Sequence, residues 1–267
     1  MSERIEQTFQ KLAAENKKAF VAYVTAGDPT PEKSLEIIQG IADAGADIIE
    51  LGVPFSDPMA DGIVNQMAAD RALKAGMNLR KILELIKNFR KTHQTPIVLF
   101  TYLNPIYAYG YAHLHCDAAE AGADGILLLD LPASEAAHHA EFARSEGLHH
   151  IQLIAPTTPD HRQKELAESS QGFIYALSRT GVTGAHGAPS ETIGALVDGI
   201  KKHTDTPVCV GFGITTPEQA RAVAEKADGV IVGSAIVKTI QNNAHKPEVA
   251  HLVKEFVRPL IEATHDA

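Results

Sequence analysis

A short phrase occurs three times along the chain, and it constrains the fold more than any other feature. Ala44-Gly45-Ala46-Asp47 leads into Ile48-Ile49-Glu50-Leu51-Gly52. Ala121-Gly122-Ala123-Asp124 leads into Gly125-Ile126-Leu127-Leu128-Leu129-Asp130, and Lys226-Ala227-Asp228 leads into Gly229-Val230-Ile231-Val232-Gly233-Ser234. In each, a helix ends at a small residue or glycine, an aspartate turns the chain, and an apolar strand begins. Runs this short, without polar alternation, suit a parallel sheet covered on both faces. On that basis strands are predicted at 20–25, 47–51, 97–102, 125–130, 150–154, 173–178, 207–211 and 229–233. Stretches of helical period fall between them at 32–43, 79–90, 111–121, 134–146, 160–169, 190–203, 217–226 and 247–263, and an amphipathic segment at 2–15 comes first. Strand and helix alternating eight times over this length predict a (β/α)8 TIM barrel with an extra N-terminal helix, residues 1–267 forming a single domain. A doubly wound open sheet is the other arrangement that such alternation permits.

Composition narrows the function. The chain carries 24 Lys+Arg against 33 Asp+Glu, and its only basic runs are pairs such as Lys17-Lys18 and Lys201-Lys202. Nucleic-acid surfaces need clustered basic charge, so that class is not expected. Cys116 and Cys209 lie far apart, in no metal-ligand spacing, which suits a reducing compartment. The first twenty residues lack the apolar core of a signal peptide. No apolar run approaches the ~20 residues of a membrane helix. A cytoplasmic protein is expected.

The stretch 48–61, IIELGVPFSDPMAD, is where chemistry is expected. Burying an unpaired carboxylate costs roughly several kcal/mol, so Glu50 inside an apolar run needs a reason. It can sit on the polar side of its strand, it can have a buried partner, or it can be catalytic. Gly52, Pro54, Pro58 and Gly62 break regular structure, so 53–62 reads as a loop carrying Asp57 and Asp61, with a helix beginning near Val64. A carboxylate at a strand end, below a loop that can bring a second one over it, has the form of an acid/base site.

In a barrel the site lies at the C-terminal strand ends. The polar groups expected there include Thr25, Asp28, Glu50, Tyr102, Asn104, Asp130, Tyr175 and Ser178. No Lys stands at these ends, which argues against Schiff-base chemistry. No His does either, which argues against a histidine metal cluster. His113-x-His115-Cys116 is the one ligand-like grouping, but it opens a helix, and no metal is expected there. Carboxylates and hydroxyls remain, and they point to proton transfer without a cofactor. The second half offers Ser178 to Gly184 after the sixth strand, Gly211-Phe212-Gly213 after the seventh, and Gly233-Ser234 followed by a short helix at 235–241. Exposed N–H groups and a helix N-terminus there favour a phosphate. The segment from Gly181 to Pro189 reads either as a lid over a ligand or as a plain surface loop.

These pieces together resemble the tryptophan synthase alpha subunit family. The matching stretches are 20–29 (FVAYVTAGDP), 50–58 (ELGVPFSDP) with Ala60-Asp61-Gly62, 177–184 (LSRTGVTG), 211–214 (GFGI) and 233–238 (GSAIVK), which run from the first strand to the last. The resemblance implies a lyase that splits indole-3-glycerol phosphate, by a retro-aldol step, into indole and glyceraldehyde 3-phosphate. It implies no cofactor in this chain; the indole passes to a pyridoxal-phosphate-dependent beta subunit within an alpha2beta2 heterotetramer. By the same match, Glu50 is the general acid/base, and Asp61 binds the indole N–H and stabilises positive charge on the ring. Tyr23, Phe100, Tyr102, Tyr175 and Phe212 are expected to contact substrate, and Thr183 to help position Asp61. Gly184, Gly213, Gly233 and Ser234 are the expected phosphate cradle, and Pro54 and Asp57 the contact with the beta subunit. Tyr23 and Phe100 depart from members that carry Phe and Leu there. Other phosphate-binding barrels, such as a ribulose-phosphate epimerase or an indole-glycerol-phosphate synthase, would want metal-binding His or a strand-end Lys. A binding subunit without turnover, regulating its partner, and a stand-alone enzyme releasing free indole are the remaining readings.

Overall fold

A computed structural model of the chain describes residues 3–178, 190–211 and 213–267. Eight parallel strands pair in chain order and close on themselves: β1 (Ala19–Thr25), β2 (Ile48–Gly52), β3 (Ile97–Thr101), β4 (Gly125–Leu128), β5 (His149–Ile154), β6 (Ile174–Leu177), β7 (Val208–Gly211) and β8 (Gly229–Val232), with β8 beside β1. The helices are α1 (Arg4–Ala14), α2 (Pro31–Asp43), α3 (Ile63–Lys74), α4 (Leu79–Arg90), α5 (Leu103–Tyr109), α6 (Tyr111–Ala121), α7 (Ala133–Ser145), α8 (Asp160–Ser169), α9 (Ser190–Lys201), α10 (Pro217–Ala224), α11 (Ser234–Asn243) and α12 (Val249–His265). The architecture is a (β/α)8 barrel, with α1 in front of the first strand. Among the described residues, no helix is long and apolar enough to cross a membrane.

The pleat divides each strand between two cores. Phe20, Ala22, Val24, Ile49, Leu51, Ile97 and Leu99 face outward, into the layer of helices. Val21, Ile48, Val98, Leu127, Ile151 and Ile231 fill the barrel interior, and Ile5 and Leu12 of α1 join them from below. The N-terminal helix therefore plugs the bottom of the barrel and leaves the C-terminal mouth as the open end. One helix escapes the sequence pattern: α5, seven residues containing Asn104-Pro105, is too short to show a helical period. Gly110, at a φ of 106°, separates it from α6.

The recurring aspartates do more than turn the chain. Asp47 accepts from the backbone N–H of Phe20 through its carboxylate (2.8 Å), and its own N–H donates to the Phe20 carbonyl (3.0 Å). Asp124 treats Ile97 in the same way (2.7 and 2.8 Å), and Asp228 treats Val208 so (2.8 and 2.9 Å). Each aspartate thus ties the start of an even-numbered strand to the start of its odd-numbered neighbour. The fourth such tie, between β5 and β6, uses Gln171 on His150 (3.2 and 3.0 Å). Asp124, fully buried, also receives Arg4 and Arg90, each at 2.6 Å, which fixes α1 and α4 to the barrel floor.

Candidate active site

In β2 the side chains of Ile48 and Glu50 fall on the inward side and those of Ile49 and Leu51 on the outward side. Glu50 therefore points into the barrel, between Tyr23 and Val98 on the neighbouring strands. It is 0% exposed, and neither carboxylate oxygen has a hydrogen-bond partner among the described residues. Both ordinary explanations for a carboxylate in an apolar run fail among the described residues: the inward face is apolar, and no described side chain neutralises it. Burial pushes its pKa up to about 8, so near neutrality it holds a proton that it can give and retake.

Three aromatic side chains surround it. The Tyr23 and Phe100 rings meet edge to face at 5.1 Å, and Phe100 lies 6.2 Å from Tyr175. A methyl group on Gly52 would overlap the Tyr23 hydroxyl, and one on Gly211 would overlap the Tyr175 hydroxyl. These two glycines are what lets both tyrosines lie across the mouth. Burial raises the pKa of each, with the Glu50 and Asp61 charges adding to it, so both stay protonated hydrogen-bond donors.

Asp61 is brought over the chamber by the loop after β2. Its N–H donates to the Pro58 carbonyl (3.1 Å), and the Gln66 side chain donates to its carbonyl (2.8 Å). The Ala60 N–H donates to the Tyr102 hydroxyl (2.9 Å), which in turn donates to the Asp61 carboxylate (2.9 Å). The sequence reads the segment carrying Asp61 only as a loop. The loop folds inward, and burial raises the Asp61 pKa, while the Tyr102 hydrogen bond pulls it back down. The helix that follows is anchored from below: Arg71 of α3 meets the buried Asp28 with two 2.8 Å contacts.

Beyond β1 from Glu50, Gly213 follows β7 at a φ of 64°, and Gly233 and Ser234 open the ten-residue α11 after β8. A methyl on Gly233 would come within 3.3 Å of the Tyr23 side chain, so its backbone lies close against the pocket wall. The first N–H groups of α11 and its dipole favour negative charge at that rim. Thr183, Gly184, Phe212 and the expected lid lie outside the described residues.

Other expected groups divide. Asp130 is turned to local use, accepting from the Leu103 N–H at 2.7 Å and so capping α5, and Asn104 is exposed. Ser178 is buried against the Gly211 carbonyl (3.4 Å), and Thr25 is buried. Pro54 is buried beneath the loop, whereas Asp57 is exposed and accepts from Ser56. His113 and Cys116 are exposed while His115 is buried, so the ligand-like grouping does not converge. Among the described residues no three His, Cys, Asp or Glu side chains are placed to hold a metal. The sequence reading passed over three exposed apolar side chains, Met59 (92% exposed), Ile63 (63%) and Tyr107 (65%). A methionine and an isoleucine flanking a Pro-framed acidic loop were the available signal.

The family model for the tryptophan synthase alpha chain matches residues 9–265. The chain is 46% identical over 261 residues to the tryptophan synthase alpha chain of Desulfosudis oleivorans, covering 98% of each. It is also 46% identical over 260 residues to that of Desulfatibacillum aliphaticivorans, covering 97% of this chain and 98% of the other. The crystal structure of tryptophan synthase subunit alpha from Legionella pneumophila superimposes with a TM-score of 0.91 at 38% identity, covering 99% of both chains. With its barrel, its buried Glu50 and its Asp61 loop in place, the chain belongs to the tryptophan synthase alpha chain family.

Proposed function

We propose that Glu50 and Asp61 divide between them the proton transfers and the charge stabilisation of indole-3-glycerol phosphate cleavage. That lyase reaction, yielding indole and glyceraldehyde 3-phosphate in tryptophan biosynthesis, is the activity of the family to which the chain belongs. The observation that carries the residue assignment is Glu50: buried, unpartnered on both oxygens and poised at about 8.

Glu50 gives its proton to C3 of the indole ring, whose nitrogen becomes positively charged. Asp61, ionised, accepts a hydrogen bond from the ring N–H and stabilises that charge. Tyr102 and the α3 N-terminus favour its ionised form. The Glu50 carboxylate then removes the proton from the glycerol hydroxyl next to the ring. The carbon–carbon bond breaks, its electron pair restores the indole ring, and the hydroxyl carbon leaves as an aldehyde. Glu50 ends protonated, ready for the next turnover. Tyr23 and Phe100 bound the indole side, Tyr175 lies by the glycerol, and Gly213, Gly233 and Ser234 receive the phosphate. On the strength of the sequence match alone, Gly184 joins that cradle, Phe212 the indole wall, and Thr183 the support of Asp61.

The steps need only proton transfer, so the chain works without a cofactor of its own; pyridoxal phosphate belongs to the partner. The family partners with a beta subunit. We place that contact, in an alpha2beta2 assembly, on Asp57 and the exposed Met59, Ile63 and Tyr107, with Pro54 bracing the loop beneath. Free thiols at Cys116 and Cys209 accord with a cytoplasmic location. Glu50→Gln tests the assignment. Indole release is expected to fall by roughly 10²–10⁴-fold or more while binding of the phosphate ester survives. Turnover within a few-fold of wild type would remove Glu50 from the mechanism.

A further inference from the structure

We infer that Gln66 and Arg71 are positioning residues for Asp61, acting through α3. Gln66 holds the catalytic loop at the start of the helix, and Arg71 pins the far half of the helix to Asp28 after β1. The inference rests on the assignment of Asp61 as the ring-binding carboxylate.

Helix α3 has little apolar grip of its own. Its buried residues are Ala68, Ala69 and Ala72, whereas α4, of the same length, buries Ile82, Leu83, Leu85, Ile86 and Phe89. Three of the larger apolar side chains of α3, Ile63, Met67 and Leu73, are exposed instead. An alanine face buries little area and presents low ridges, so it fixes the register and roll of a helix only weakly.

Polar contacts supply what that face lacks. In the first turn the Gln66 side-chain amide donates to the Asp61 carbonyl (2.8 Å), and the Gln66 N–H donates to the Gly62 carbonyl (3.0 Å). One residue thus grips the backbone across the junction of loop and helix. Further along, Arg71 Nε and Nη2 donate to the two carboxylate oxygens of Asp28, each at 2.8 Å. Such a fork fixes orientation as well as distance. Met77, whose N–H donates to the Ala72 carbonyl (3.0 Å), packs so closely on Gly27 that a methyl there would overlap it.

The anchor itself belongs to the strand ends that carry the chamber. The Asp28 N–H donates to the Thr25 carbonyl at the end of β1 (3.2 Å), and the Ala26 N–H donates to the Gly52 carbonyl at the end of β2 (2.8 Å). A continuous series of bonds therefore runs from the strands of Tyr23 and Glu50, through Asp28 and Arg71, along α3 to Gln66 and Asp61. Tyr102 orients the Asp61 carboxylate, and α3 sets the backbone from which that carboxylate hangs. The Asp28 side chain is wholly buried, and apolar side chains of like size stabilise a fold as well as a buried ion pair or better. What the pair adds is a single orientation of α3.

The test is indole release from indole-3-glycerol phosphate by wild type, Gln66→Met, Arg71→Lys, Asp61→Asn and the Asp61→Asn/Arg71→Lys double variant. Inhibition by glyceraldehyde 3-phosphate is measured beside it and reports the phosphate end alone. Gln66→Met keeps the bulk and loses the bond, and Arg71→Lys keeps the charge and loses the fork. Each is expected to lower kcat/KM by about ten- to a hundredfold, as a misplacement of about 1 Å does, with inhibition by glyceraldehyde 3-phosphate within about twofold of wild type. Arg71→Lys adds little to the loss in Asp61→Asn, because it acts through that carboxylate. A kcat/KM for Arg71→Lys within about twofold of wild type overturns the proposal, as does an equal weakening of glyceraldehyde 3-phosphate, the mark of a general structural change. Asp28→Leu/Arg71→Met, which replaces the buried pair with apolar side chains, repeats the test on a chain whose fold is spared a lone buried charge. Wild-type turnover there overturns the proposal too. Undiminished release by Asp61→Asn would instead remove the reading of Asp61, and the role of α3 with it.

Discussion

At the scale of single residues, Glu50 sets function against stability. Its folded pKa of about 8 lies above the ordinary 4.5, so between those values the folded chain binds a proton that the unfolded chain has released. Folding stability therefore falls as pH rises through that window, by up to about 1.4 kcal/mol per pH unit. Glu50→Gln removes the titration, so its Tm should exceed that of wild type by more at pH 8 than at pH 5. A constant difference across pH would mean that Glu50 titrates alike in the two states. Glu50 was legible in the sequence because a carboxylate inside an apolar strand has few explanations. The burial of Asp61 was not, because loop composition says nothing of which way a loop folds.

At the scale of elements, the repeated aspartate phrase proves to be a strand tie. Three of the four ties could be read from the sequence as a pattern, though not as a hydrogen-bonding device. The fourth escaped because Gln171 supplies the same acceptor in a different residue. Asp124 carries the most, since two arginines converge on it with no exposure of its own. Asp124→Ala leaves those charges and the Ile97 N–H without their acceptor, and is expected to cost about 3–5 kcal/mol in denaturant unfolding. A loss below about 1 kcal/mol would mean that the cluster is relieved by water.

A second element-level device lies between α6, α7 and β5. There His139 contacts the Tyr111 hydroxyl, and the His139 ring stands 4.3 Å from His150 and 5.1 Å from His115. Burial depresses all three, to about 2 for His139 and about 3 for His150. Groups depressed in the folded state give stability that is complete above the ordinary value of 6.5 and is lost as pH falls below it. The urea midpoint should drop between pH 7 and pH 5, and His139→Phe should drop less. Equal slopes would exclude the cluster as the cause. The sequence showed histidines near helices and strand starts, but not that three of them share one interior site.

At the scale of the whole molecule, the barrel was readable because eight alternations of strand and helix leave few closed arrangements. Helix α5 was the exception, seven residues too few to show a helical period. The chamber follows from the same order: α1 plugs one end, and the mouth gathers Glu50 from β2, Asp61 from the next loop, and the α11 N-terminus after β8. Met59 and Ile63 stand exposed on either side of Asp61, as does Tyr107 on α5, and this is the surface proposed above for the beta subunit. The decisive measurement is indole release from indole-3-glycerol phosphate by the purified chain and by Glu50→Gln, each with and without a beta subunit. The account predicts slow release by wild type that rises sharply with the partner, and none above background from the variant. Undiminished release by Glu50→Gln would contradict it.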